Sequence, residues 1–156
     1  MAEGEKHPLT QEGKEELERE LDNLLNVKRP ELAVKLKEAV AMGDLKENAD
    51  YHDTREQMAL LDGRVQYVEN ILKNHQLIEK GDNSHVGLGS EVTIREKGTK
   101  EDETYTIVGM AEANPMKGMI SEKSPIGMAL IGRKKKDEVN VNTPDGKIVF
   151  VIQSIK

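Results

Sequence analysis

Apolar residues at Met58, Leu61, Val65, Val68 and Leu72 step by three, four, three and four with no proline among them. A repeat of this kind draws one apolar seam along a helix, and the seam needs a partner to cover it. The chain supplies that partner upstream. Leu17, Leu21 and Leu24 step by four and three, and Leu32, Leu36 and Ala39 repeat the pattern. Leu24 and Leu32 are eight residues apart, one more than a heptad, so the seam shifts beside Pro30. Proline lacks the N–H that a helix interior uses, which predicts a kink or interruption there. The spacing places a first helix over about residues 12–42 and a second over about 49–75, roughly 45 and 40 Å long. Thr10 is the expected N-cap of the first, with Gly13 weakening its opening turn. Gly43 suits the left-handed residue that closes many helices. Two such helices joined by a short polar link fold back as an antiparallel pair.

The pattern changes after Lys80-Gly81-Asp82-Asn83-Ser84-His85, a run of turn residues without a period. Short β-like runs follow at Val92–Ile94, Thr104–Val108, Val139–Val141 and Ile148–Ile152. Pro144-Asp145-Gly146 predicts a hairpin turn between the last two. Ser124-Pro125 ahead of Ile126-Gly127-Met128-Ala129-Leu130 predicts a capped short helix with proline at its first position. The second half therefore reads as a small α+β domain, and the division falls between residues 1–80 and 81–156. Aromatic residues are only 3% of the chain, so the core must be aliphatic. Met110, Met116, Met119 and Met128 are expected to fill it.

Charge divides the same way. Residues 1–80 hold 12 Lys+Arg and 18 Asp+Glu, whereas residues 81–156 hold 11 of each. An acidic chain is poorly suited to bind nucleic acid unaided, because that affinity comes from neutralised phosphates. The absence of cysteine removes disulfides, thiolate zinc sites and a Cys nucleophile. His7, His52, His75 and His85 show no ligand spacing. No apolar run is long enough to span a bilayer, and Met1–Lys6 lacks the apolar core of a secretory leader, so a cytoplasmic protein is expected. Arg133-Lys134-Lys135-Lys136 reads as a solvated loop or as a contact for phosphate or an acidic partner. Arg55 and Arg64 read as helix surface or as a strip facing a polynucleotide.

The link between the helices, Gly43-Asp44-Leu45-Lys46-Glu47-Asn48-Ala49-Asp50-Tyr51, carries carboxylates at 44, 47 and 50. In a helical segment these steps of three share one face. Oxygen ligands suit magnesium, which takes one or two carboxylates from a protein and keeps several waters. Such a tip would hold the ion weakly alone and would work where another site supplies further ligands, as in two-metal phosphodiester hydrolysis. The same spacing also fits a capping box, with Asp44 as N-cap of the second helix and Glu47 three residues on.

Met42 through His52, followed by Arg55-Glu56-Gln57 and Gly63-Arg64, closely resembles the bacterial GreA/GreB transcript-cleavage factors. Arg29-Pro30-Glu31, Ser124-Pro125-Ile126-Gly127, Leu130-Ile131-Gly132 and Thr143-Pro144-Asp145-Gly146 extend the resemblance from about Leu9 to Ile155. It implies an α+β protein. A long antiparallel coiled-coil hairpin is followed by an FKBP-like antiparallel-sheet domain with a short helix. It further implies a cofactor of RNA polymerase, not an enzyme in itself, acting as a monomer. The C-terminal domain would dock at the rim of the secondary channel through Ser124 and Pro125. The hairpin would enter the channel and bring Asp44 and Glu47 to the active centre. There the pair would help hold a magnesium ion shared with the polymerase while the backtracked nascent RNA 3′ end is cleaved. Asn48 and Tyr51 match tip-supporting positions, and Arg55 one that faces RNA. Val40, Met42 and Lys123 depart from the family pattern. Two alternatives stand beside this reading. One is an inhibitory relative that occupies the channel without promoting cleavage. The other is a prolyl isomerase or chaperone, for which only Tyr105 and Phe150 in the second half could line a pocket.

Overall fold

The computed structural model describes residues 6–79 and 81–156. Most of the opening stretch read for a leader, and Lys80 of the expected boundary, lie outside the described residues. The contacts divide the chain into two compact units: Lys14–Asn74, and the remainder of the described residues.

The first unit is the helical hairpin. Helix α1 (Gln11–Asn23) runs into a π-helical turn (Leu24–Lys28) and then into α2 (Arg29–Ala41); α3 spans Ala49–Lys73. Thr10 caps α1 as expected, its Oγ1 accepting the Gly13 N–H at 3.0 Å. The helix is not interrupted at Pro30. Instead the Arg29 N–H reaches back five residues to the Leu24 carbonyl. That wider turn takes up the extra residue between Leu24 and Leu32 and brings the seam back into phase just before the proline.

Thr54, Leu61, Val65, Val68 and Ile71 are the buried positions of α3. Met58 and Leu72 of the predicted seam are only half-buried. A straight α-helix drifts against a strict heptad, and the last buried position falls one residue early. Across the pair, Glu20 accepts from Arg64 through both carboxylate oxygens, at 2.6 and 2.9 Å, and Arg29 reaches Asp62 at 2.5 Å. Partner numbers rise along one helix as they fall along the other, which is the antiparallel arrangement.

In the second unit, β1 (His7–Leu9) pairs in parallel with β2 (His75–Leu77). This ladder groups His7–Leu9 and His75–Leu77 in the unit that holds the sheet. The Glu112 carboxylate binds the Thr10 N–H at 2.7 Å and the Thr10 hydroxyl at 2.5 Å. Gly13 leaves it room, since a Cβ there would lie 2.0 Å from Glu112 Oε1.

The main sheet orders its strands β5-β4-β3-β7-β6, with β3 Glu91–Glu96, β4 Asp102–Val108, β5 Met119–Ser121, β6 Glu138–Thr143 and β7 Gly146–Ile155. It is antiparallel except at one edge, where β5 lies parallel to β4. Buried residues alternate along the strands, as at Val92 and Ile94 or Val139 and Val141. They join Ile107, Leu130, Phe150 and Ile152 in one aliphatic core. Thr143 pairs with Gly146 across Pro144-Asp145, the predicted hairpin. Helix α4 (Pro125–Leu130) starts at Ser124, whose Oγ accepts the Gly127 N–H at 3.0 Å.

The methionines are a correction. Met110, Met116 and Met128 are 62%, 97% and 64% exposed, and Met119 is half-buried, so β-branched residues and leucine fill the core in their place.

Candidate functional site

The turn between α2 and α3 begins where α2 closes on Met42. Gly43 then adopts φ +77° and Asp44 φ +49°, two consecutive left-handed residues. Aspartate is one of the few non-glycine residues that visit this region readily, because its short polar side chain tolerates it. This reversal delays the start of the next helix. Glu47 closes a turn on Asp44, its N–H donating to the Asp44 carbonyl at 3.1 Å, and α3 begins only at Ala49.

The N-cap is therefore Asn48, and the expected capping box is not formed. Asn48 Oδ1 accepts the Tyr51 N–H at 3.1 Å. Its Nδ2 donates to the Ala39 carbonyl at 2.7 Å and to the Gly43 carbonyl at 3.3 Å. One side chain thus caps α3, ties it to the last turn of α2 and holds the connecting loop. His52 Nε2 lies 3.1 Å from the Lys46 carbonyl and adds a second tie.

Asp44 and Glu47 are both exposed, in a non-helical loop between two pinned ends. Asp50 does not join them on a helical face. It sits in the first turn of α3 and lines a groove of about 390 Å³ with Lys35, Glu38 and Asp53. Among the described residues no group of three or more His, Asp or Glu is placed to hold a metal ion.

Tyr51 stands in the first turn of α3. Arg55, one turn on, lies over the Tyr51 ring at 5.6 Å and points Nη1 to its hydroxyl at 3.4 Å. Arg64 is engaged differently. The Glu20 hydrogen bonds raise its pKa and pair its charge with a carboxylate, so no strip of two free arginines forms on α3. Ser124 and Pro125 belong to the other unit and are, respectively, the cap and the first residue of α4. Phe150 is in the core with Tyr105 packed against that cluster. Burial and a hydrogen bond to Glu103 push the Tyr105 hydroxyl up to about 12.

Residues 81–156 match the family described as transcription elongation factor, GreA/GreB, C-terminal, and residues 7–77 the N-terminal domain of transcription elongation factors. The transcription elongation factor GreA of Geobacillus kaustophilus is 44% identical over 100% of both chains. The chain belongs to the GreA/GreB family. GreA of Bacillus subtilis is likewise 44% identical, over 99% of each chain. The GreA factor homolog 1 (Gfh1) protein of Thermus thermophilus, a solved structure, is 28% identical over 97% of this chain and 99% of that one, with a TM-score of 0.45.

In this GreA/GreB chain the tip lies in the N-terminal match and α4 in the C-terminal one. Sequence reasoning missed the threefold role of Asn48, the His52 tie and the Ala39 carbonyl that receives Asn48. Asn48→Ala is expected to cost the hairpin about 1.5 kcal/mol, near the upper end for a lost N-cap, because two cross-links go with it. A lowered midpoint in the helical circular-dichroism melt checks this, and an unchanged one would refute the cap assignment.

Proposed function

We propose that the chain is a monomeric transcription elongation factor that binds bacterial RNA polymerase and stimulates the polymerase's own cleavage of the backtracked nascent RNA 3′ end. The polymerase supplies the catalytic centre and this chain is its cofactor. The hairpin enters the secondary channel tip first. The sheet-bearing unit meets the channel rim through Ser124 and Pro125.

One observation carries the reading: Asn48 performs the capping, so Asp44 and Glu47 are exposed carboxylates without a structural duty. Two carboxylates on a short loop pinned at both ends fit magnesium, which takes one or two carboxylates and fills its shell with water and phosphate oxygens. Asp44 and Glu47 would hold the ion together with carboxylates of the polymerase. A magnesium ion there supplies a bound water of lowered pKa and neutralises charge on the phosphate. Asn48 fixes the loop, so the carboxylates arrive oriented and little ordering is left for the moment of reaction. Tyr51 supports the base of the tip and holds Arg55, whose guanidinium faces the RNA.

The test is RNA cleavage in backtracked elongation complexes at fixed magnesium. Added protein is expected to accelerate release of 3′ fragments and to restart elongation from the new end. Slowed elongation without cleavage would overturn this and make the chain an inhibitory occupant of the channel.

A further inference from the structure

The groove between α2 and α3, about 390 Å³, lies wholly within the helical unit. Ala39 lines it and is buried, and its carbonyl receives Asn48 Nδ2. Met42 adds a second apolar side chain. Glu38 enters from α2, Asp50 and Asp53 from α3, and all three carboxylates are exposed. Lys35 is the cation among the lining residues, so the groove carries three negative charges against one positive. Among the described residues Lys35 forms no ion pair with any of them. Gln57 Nε2 donates to Asp53 Oδ2 at 2.7 Å, which leaves the other Asp53 oxygen as an acceptor. Thr54 is the residue that points to a ligand. It lines the groove and is only 5% exposed. A threonine inside a helix can give its hydroxyl to the carbonyl four residues back. Here the hydroxyl makes no hydrogen bond among the described residues. Yet no buried side-chain oxygen or nitrogen among them is sealed off without a partner. The Thr54 hydroxyl is therefore the part of a buried side chain that still opens into the groove, unpartnered, beside three carboxylates.

We infer that this groove binds a short aliphatic polyamine. Its ammonium groups meet Glu38, Asp50 and Asp53, one N–H reaches Thr54 Oγ1, and its methylene stem lies along Ala39 and Met42. The site is separate from the tip carboxylates and does not depend on the polymerase reading. The lining excludes an anion by its charge. A metal ion fits poorly, because among the described residues no three His, Asp or Glu are placed to hold one, and a hard cation makes no use of an apolar wall. An alkylammonium suits each part. It donates three hydrogen bonds and accepts none, which matches ionised carboxylates and a hydroxyl oxygen without a donor. Bonds of this kind are charge-assisted and stronger than neutral ones. A single ammonium would leave part of the groove's negative charge unmatched, and the volume is that of a small-molecule site. The exposed carboxylates make the binding salt-sensitive. The ligand bridges α2 and α3, so it binds the folded hairpin and stabilises it.

The experiment is titration calorimetry of the full chain with spermidine at low salt, without magnesium and without polymerase, paired with helical melts by circular dichroism. Saturable binding at one site is expected, with a raised midpoint at saturation. Thr54→Val is the sharpest variant. It keeps the shape and removes a hydroxyl that has no partner, so the unliganded midpoint should hold or rise. Spermidine affinity should fall about tenfold, the loss of one hydrogen bond to a charged group. Glu38→Gln/Asp53→Asn is expected to weaken binding by at least about tenfold, and Lys35→Gln to tighten it severalfold. No binding by the wild type overturns the inference, as does wild-type affinity in Thr54→Val and in the double variant. So does magnesium that displaces spermidine equally well at the same concentration of charge, which would reduce the effect to screening. n-Butylamine binding as tightly as spermidine overturns the polyamine assignment, because the groove would then take only a single ammonium.

Discussion

The double variant Asp44→Asn/Glu47→Gln is expected to lose stimulated RNA cleavage by roughly 10²–10⁴-fold, because a bound metal ion is worth several kcal/mol of transition-state stabilisation. Its thermal midpoint should stay where it is. Neither carboxylate takes part in the cap, so neutralising them touches no structural hydrogen bond, and surface changes of this kind fall within about 0.5 kcal/mol. The choice of asparagine at position 44 matters. Asp44 sits at φ +49°, and asparagine tolerates that region where alanine would add strain and confuse a chemical loss with a conformational one. Polymerase affinity should also hold, because the tip would bring ligands to the ion and not the bulk of the binding surface. The capping alternative predicts that cleavage, like the melt, stays near wild type, because asparagine caps as well as aspartate and glutamine serves three residues on as well as glutamate. Melts and cleavage assays on one preparation separate the two.

That alternative was a fair reading of the residues, and its failure shows where sequence reasoning stops. Asp44 and Asn48 are equally good caps by residue type. What decides between them is the pair of left-handed residues at Gly43 and Asp44, which postpones the helix by several positions. Gly43 was legible as a helix stop, but nothing local signals that Asp44 follows it into the same region. The seams were legible because every position on them is buried or half-buried, with Leu21, Leu24, Leu32 and Leu36 among the half-buried ones. Leu17, Ala39, Leu61, Val65 and Val68 are buried where the period places them. Ile71 replaced Leu72 only where the helix had drifted from the heptad. The eight-residue gap between Leu24 and Leu32 announced an irregularity without its form, since a kink and a π-helical turn both absorb one residue.

The sheet was legible where strands are long enough to alternate. β1, β2 and β5 have three residues each, too few for a period of two to show. The clasp of Glu112 on Thr10 joins residues 102 positions apart, which no local pattern encodes. The methionines were misplaced for a related reason. Met110 and Met116 fall in short 3₁₀ turns, where hydrophobicity alone does not say which side faces in. Their exposure, with that of Met128, moves apolar area from the expected core to the surface.

Gly127→Ala is expected to be the most damaging conservative change in the sheet-bearing unit. Gly127 lies in the middle of α4, where alanine is ordinarily the better helix former by about 1 kcal/mol. Here a Cβ would stand 2.0 Å from the Ser121 carbonyl oxygen and 2.9 Å from its carbon. Both are backbone atoms of β5, which is hydrogen-bonded to β4, so they cannot swing aside as a side chain could. Gly13 makes an instructive contrast. Its Cβ would be equally close to Glu112, but a carboxylate can rotate away at the cost of its two bonds to Thr10. At Gly127 the helix itself must lift from the strand. That breaks the Ser124 cap and uncovers Leu130, which is fully buried in the core. The expected loss is about 3 kcal/mol, the upper part of the range for overpacking, which lowers the midpoint of a unit this size by roughly 15 °C. The hairpin should keep its helical signal while the sheet-bearing unit melts at the lowered midpoint. If docking runs through Ser124 and Pro125 as proposed, polymerase binding should weaken beyond what unfolding alone explains, because both move with the displaced helix. A Gly127→Ala protein with wild-type midpoint would mean that α4 does not lie against Ser121.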